Sequence, residues 1–133
     1  MSTVRLLSDD ELAPEARVVF DEIRALRKTE LVNNFWRALA HDPALLRRTW
    51  DMVRDVMAPG ALDPLTKELI YVAVSIANNC EYCIRSHTAA ARAKGLSEAG
   101  LMELVAVVAA ASQTNRLATA LQVPVDEAFR SAP

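Results

Sequence analysis

Glycine is scarce, with three residues in 133, and aromatic residues make up only 5% of a chain that is 52% hydrophobic. The apolar mass is Ala, Leu and Val, a mixture that favours packed helices over sheet and disfavours an all-β fold. No charge of one sign dominates either. The formal net charge is −2 and the basic residues are dispersed, so the field that would concentrate nucleic acid or an anionic membrane surface is missing. The longest unbroken apolar run, Leu104 to Ala111, falls far short of the ~20 residues that cross a bilayer. Neither nucleic acid nor a membrane is expected as a partner. The start, Met1-Ser2-Thr3-Val4-Arg5, leads into Asp9-Asp10-Glu11 with no apolar stretch and cleavage site, which predicts a cytoplasmic, reducing location. Cysteine occurs only at Cys80 and Cys83. A bridge between them would close so small a loop that little entropy would leave the unfolded chain, so a structural staple is a poor reading of the pair.

What is present reads as one all-α domain over residues 1–133, with a core at about 14–121. The first helix is predicted from Pro14 to Lys28, burying Ala16, Val19, Phe20, Ile23 and Ala25-Leu26. A second covers Val32 to Ala40, and Asp42-Pro43 opens a third that runs to Met57. Asp63-Pro64 opens a fourth that ends near Asn78-Asn79; the fifth runs from Cys80 to Lys94 and stops at Gly95. Ser97 begins a sixth reaching Gln113 or continuing to Leu121, and a short helix is expected in the tail from Val125. This gives six or seven helices, with the fourth and fifth as a central antiparallel hairpin. The fourth and sixth are apolar almost all round, the pattern of helices covered on every side, which a domain this small cannot do alone. Self-association is therefore expected.

Two cysteines placed at random on such a chain fall three apart in roughly 1.5% of arrangements. His87 follows Cys83 by four residues, which on one helix puts imidazole and thiol on the same face, within hydrogen-bonding reach. Cys80 falls at the helix start, where unpaired amides and the macrodipole favour a thiolate. Glu68 is anomalous in the second turn of a nearly all-apolar helix. If the helices form a hairpin, it lies close enough to His87 for direct or one-water contact. The implied order, Glu68 to His87 to Cys83, is a carboxylate orienting an imidazole that withdraws a thiol proton. Tyr82, between the cysteines, would line the mouth. Each residue also has a plainer reading: Glu68 as a helix-end carboxylate paired with Lys67 or a neighbouring helix, His87, Arg85 and Arg92 as surface groups, Tyr82 as packing, His41 as a loop residue. Cys80, Cys83 and His87 make three zinc ligands rather than four, so neither a metal nor another cofactor is expected.

The pattern Glu68-x11-Cys80-x2-Cys83-x3-His87, followed by Gly95-Leu96-Ser97, resembles the AhpD-like alkylhydroperoxidase branch of the carboxymuconolactone decarboxylase superfamily. The likeness is specific over Glu68 to Ser97 and looser over Pro14 to Leu121. It implies an all-α fold with a central helical hairpin, a homo-oligomer such as a trimer or hexamer, and thiol-dependent reduction of hydroperoxides or of a partner's disulfide. It also implies a proton relay through Glu68, His87 and Cys83, and a Cys80–Cys83 pair cycling between dithiol and disulfide. An external dithiol, thioredoxin-like or lipoyl-linked, would reset that pair. Tyr82 stands where well-studied members carry a histidine. The expected activity is a thiol peroxidase or disulfide oxidoreductase. Two other classes stay open: a redox-responsive binding or scaffold protein without turnover, and a lyase of the lactone-decarboxylase kind.

Overall fold

The computed structural model describes residues 2–130; Met1 and the end of the tail expected from Val125 lie outside the described residues. The described residues form an all-α protein of seven α-helices and one 3-10 turn, with no strand among them. Two compact units divide between Ala58 and Pro59.

In the first unit, a 3-10 turn at Asp9–Glu11 is followed by α1 (Pro14–Arg27), α2 (Asn34–Leu39) and α3 (Pro43–Met57). Pro14 supplies the preset φ of a first helical turn, and α1 ends where Lys28 takes a left-handed conformation. Ala16, Val19, Phe20 and Ile23 recur at helical spacing and are fully buried. They pack in one core with Leu12, Val32, Trp36, Leu46 and Trp50. Ala25 and Leu26, expected among them, are exposed, Leu26 by 59%, because they fall outside that stripe. The Trp36 and Trp50 rings meet edge to face at 5.5 Å, the geometry that the ring quadrupoles favour. Around the core, Arg47 donates twice to the Glu22 carboxylate, at 2.7 and 3.0 Å, and the Trp50 indole N–H donates to it at 3.1 Å. Two details differ from the sequence reading. The 3-10 turn was not anticipated, and α2 begins at Asn34 because Val32 is buried in the core while Asn33 is still extended.

The second unit holds α4 (Pro64–Ala77), α5 (Glu81–Ala93), α6 (Glu98–Ala120) and α7 (Glu127–Arg130). Asp63 caps α4 through the Thr66 amide at 3.0 Å. The chain reverses at Asn78 and Asn79, the latter left-handed at φ 56°, a conformation asparagine tolerates better than most residues. Cys80 N–H then closes onto Ser75 O at 2.9 Å, and α4 and α5 run antiparallel as a hairpin. Gly95, at φ 103°, stops α5 with Leu96 N–H returning to Ala91 O at 3.0 Å. Ser97 caps α6 through Gly100 N–H at 3.0 Å. Covering is where this unit departs from its pattern. Within the single chain α6 buries none of its residues, and Ile70 and Val74 of α4 are about half exposed. Among the described residues no helix is long and apolar enough to cross a membrane.

Candidate functional site

Glu68 sits one turn into α4, and the 3.6-residue period places Tyr71, Val72 and Ser75 on the same face. Val72 and Ser75 are buried, as is Glu68, whose side chain is only 8% exposed. Ser75 is satisfied by its hydroxyl donating back to Tyr71 O at 2.7 Å. A buried carboxylate left unpaired would cost several kcal/mol; this one is paired at both oxygens. His87 of α5 meets Oε2 through Nδ1 at 2.7 Å, and Lys94, the residue that ends α5, donates from Nζ to Oε1 at 3.2 Å. Burial opposes ionisation of Glu68, but the hydrogen bonds from His87 and Lys94 and the charge of Lys94 outweigh it, so the carboxyl lies below its ordinary value. An ionised carboxylate only accepts. His87 must therefore donate Nδ1–H, which makes Nε2 the nitrogen that takes up or delivers a proton. The Tyr71 ring stacks on the imidazole, centroids 3.6 Å apart and planes 17° apart, fixing its plane. Burial, then the charges of Cys83, Cys80 and Glu68, push the Tyr71 hydroxyl upward, so it stays protonated at neutral pH.

Cys80 is the N-cap of α5 rather than its first helical residue, its sulfur accepting from Cys83 N–H at 3.3 Å. Both cysteines are free. Their order departs from the sequence argument, which lowered both thiols. The Cys83 thiol donates to Cys80, and this bond, with the Cys83 amide, holds Cys80 below its ordinary value. Cys83 is pushed up to about 11, first by burial and then by the neighbouring Cys80 sulfur. Of the two, Cys80 is the thiol that ionises more readily, and among the described residues no hydrogen bond joins Cys83 to His87. The spacing placed His87 correctly relative to Glu68, but it carried no information about burial at Cys83.

Of the remaining sequence candidates, Tyr82 lies exposed on the first turn of α5. Arg85 pairs with Glu81 and Arg92 with Glu98, while His41 contacts Arg5 O through Nε2 at 2.6 Å. No group of three or more His, Cys, Asp or Glu placed to hold a metal ion occurs among the described residues. Two residues of the site were missed: Tyr71, three after Glu68, and Lys94, seven after His87. Both spacings put a residue on the same helix face as its neighbour, and that was the available signal.

Residues 43–126 match the carboxymuconolactone decarboxylase family. The crystal structure described as the alkylhydroperoxidase AhpD core from Rhodospirillum rubrum superposes with a TM-score of 0.95 at 59% identity, over 99% of each chain. Alkyl hydroperoxide reductase AhpD from an Anaeromyxobacter strain is 33% identical over 130 residues, 90% of this chain and 67% of that protein. "Uncharacterized protein 4 in cox locus" from Paracoccus denitrificans is 44% identical over 54 residues, 41% of this chain. The chain matches about half the length of that relative, 49%. Sequence and structure together place the chain in the AhpD-like branch of the carboxymuconolactone decarboxylase family.

Proposed function

We propose that the chain is a thiol-dependent peroxidase and disulfide oxidoreductase that reduces hydroperoxides through Cys80 and Cys83. The observation that carries this reading is the doubly held carboxylate: Glu68 orients His87 through Nδ1 on the helix that also bears the free dithiol. A thiol as high as Cys83 is almost wholly protonated at neutral pH, so its reaction needs a base. His87 lies one turn on, with Nε2 not engaged by Glu68. In the proposed cycle the Cys83 proton passes to His87 and the Cys83 thiolate attacks the peroxide oxygen. The O–O bond breaks, the alkoxide takes a proton to leave as alcohol, and Cys83 becomes a sulfenic acid. The Cys80 sulfur attacks Cys83, water departs, and the two electrons given to the peroxide are recorded as a Cys80–Cys83 disulfide. An external dithiol attacks at Cys80, the residue at the helix N-terminus, and exchange returns both thiols while the donor becomes the disulfide.

The reading includes a single working domain over residues 1–133, action in the reducing cytoplasm, and a homo-oligomer, for which trimer and hexamer are the candidate states. The apolar surface of α6 supports self-association, since Met102, Val107 and Leu117 are all more than half exposed in one chain. The test is peroxide consumption with alkyl hydroperoxides crossed against lipoyl, thioredoxin-like and small-thiol donors. Cys83→Ser is expected to abolish turnover, and Cys80→Ser to consume one equivalent and stall as the sulfenic acid. One equivalent consumed by the unaltered protein, with every donor supplied, would replace the enzyme with a redox-responsive binding protein.

A further inference from the structure

The second oxygen of Glu68 has no task in the relay as described, yet it is engaged by Lys94, the residue at the very end of α5. We propose that Lys94 is a positioning residue: it matches the charge of the Glu68 carboxylate and thereby keeps His87 in the neutral form whose Nε2 accepts a proton. The use of that neutral form rests on the peroxidase reading; its measurement does not.

Glu68 brings one negative charge into a pocket that leaves its side chain 8% exposed. If His87 were its only partner, the tight 2.7 Å contact would draw the ring to imidazolium, as an adjacent carboxylate does for any nearby base. An imidazolium has no lone pair and accepts nothing at Nε2. Lys94 changes this by supplying a whole positive charge at 3.2 Å on the other oxygen, so His87 faces a neutral pair instead of a bare anion. The two bonds occupy different oxygens, so the cation supplements the imidazole without displacing it. The fold makes the placement repeatable. Gly95 at φ 103° ends α5 one residue later, and Lys94 N–H closes on Ala91 O at 3.0 Å, setting the lysine stem at the helix end.

The other titratable groups near the pair are accounted for. Tyr71 stacks on the imidazole from α4, and on α5 Cys83 lies one turn before His87, with Cys80 at the helix start. On α5, Glu81 and Arg85 pair with each other; Arg92 pairs with Glu98 of α6, and Glu103 and Arg116 of α6 are exposed. Asp63 is held by Thr66 at the α4 cap, and Lys67, beside Glu68 in sequence, is common to every variant. The lysine side chain is 39% exposed, so water screens part of its effect.

The experiment is nuclear magnetic resonance of ring-labelled histidine in the full-length, reduced protein, comparing the parent with Lys94→Met, Lys94→Gln and Lys94→Arg. A His41→Asn background leaves His87 as the sole signal. In Lys94→Met and Lys94→Gln the imidazolium-to-neutral ratio of His87 at neutral pH should rise by about three- to tenfold, the size expected for losing one partly screened opposite charge. Lys94→Arg should restore the parent ratio to within about twofold. The acid side of the peroxide-turnover profile should move to higher pH in the two neutral variants and return with arginine, a response that mere loss of packing would not give. An unchanged ratio in both neutral variants, or an arginine variant that behaves like them, would overturn the inference. A shifted ratio in a protein that turns over no peroxide would leave the charge argument standing and remove the peroxidase reading.

Discussion

Up to Ala58 the chain buries Phe20, Ile23, Trp36, Leu46 and Trp50 in one apolar core; from Pro59 on, its fully covered residues are Val72, Ala91 and two polar groups, Glu68 and Ser75. The ion pairs differ in the same way. In the first unit they ring the core, as Arg24 and Arg37 both do on Asp9 and Arg47 does on Glu22, with carboxylates that are 42% and 39% exposed. In the second, the Glu68 carboxylate is inside, and it is held by both His87 and Lys94. One unit devotes its buried volume to packing, and the other places charge where packing would be more stable. Holding a polar network in a small helical hairpin costs stability.

The comparison is broken most directly by exchanging one substitution for another. Glu68→Gln and His87→Ala should each lower peroxide turnover by about 10² to 10⁴. Combined, they should cost little more than the larger single effect, because the two act as one unit. Phe20→Ala should instead remove about 3 to 5 kcal/mol of stability by leaving a cavity, while folded protein at low temperature retains its thiol reactivity. Paired kinetics and denaturant titration check both. A core substitution that altered thiol reactivity in folded protein, or a relay double variant whose losses multiply, would erase the distinction between the units. Next in size is the exposed face of α6. If that face is covered by a second copy of the chain, Val107→Glu should weaken association by about 3 kcal/mol, on the order of a hundredfold, by forcing a charge into an apolar contact. Sedimentation across a concentration series reads this, and unchanged assembly would show that α6 is not the covered face.

Legibility in the sequence followed the same division. Helix limits set by local chemistry were readable: Asp42-Pro43 and Asp63-Pro64 announce α3 and α4, and Gly95 ends α5. The hairpin followed from the Asn78-Asn79 break. With it came the closeness of Glu68 and His87, because helical rise fixes how far each lies from the turn. Properties set by tertiary covering were not readable. Cys83 has the same i, i+4 relation to His87 whether it is wet or dry, and only burial beside Cys80 makes it the higher thiol. Lys94 is 26 residues from Glu68, and its role needs the length of α5 and the antiparallel packing to be known together. α6 was legible as apolar, but a pattern cannot distinguish residues covered by their own chain from residues that await another.

The smallest effect compares the one device that both units share. Asp42 caps α3 through Leu45 N–H at 3.0 Å, and Asp63 caps α4 through Thr66 N–H at the same distance, each followed by proline. Asp42→Ala should cost about 1 kcal/mol, the usual worth of such a cap. Asp63 has a second bond, from the Thr66 hydroxyl. That bond, followed by the Thr66 amide, holds its carboxyl below the ordinary value of 3.8. A carboxyl depressed in the folded state stabilises fully above its unfolded value, and the contribution is lost as pH falls through the folded value. Denaturant titrations at about pH 6 and about pH 3 should therefore show unaltered protein losing stability relative to Asp63→Asn, whose amide caps without titrating. Thr66→Val, which removes the hydroxyl and keeps the amide, should reduce that loss. If Asp63→Asn followed the unaltered protein at both pH values, the cap would owe nothing to its charge, and the ends of α3 and α4 would be held by the same neutral hydrogen bond.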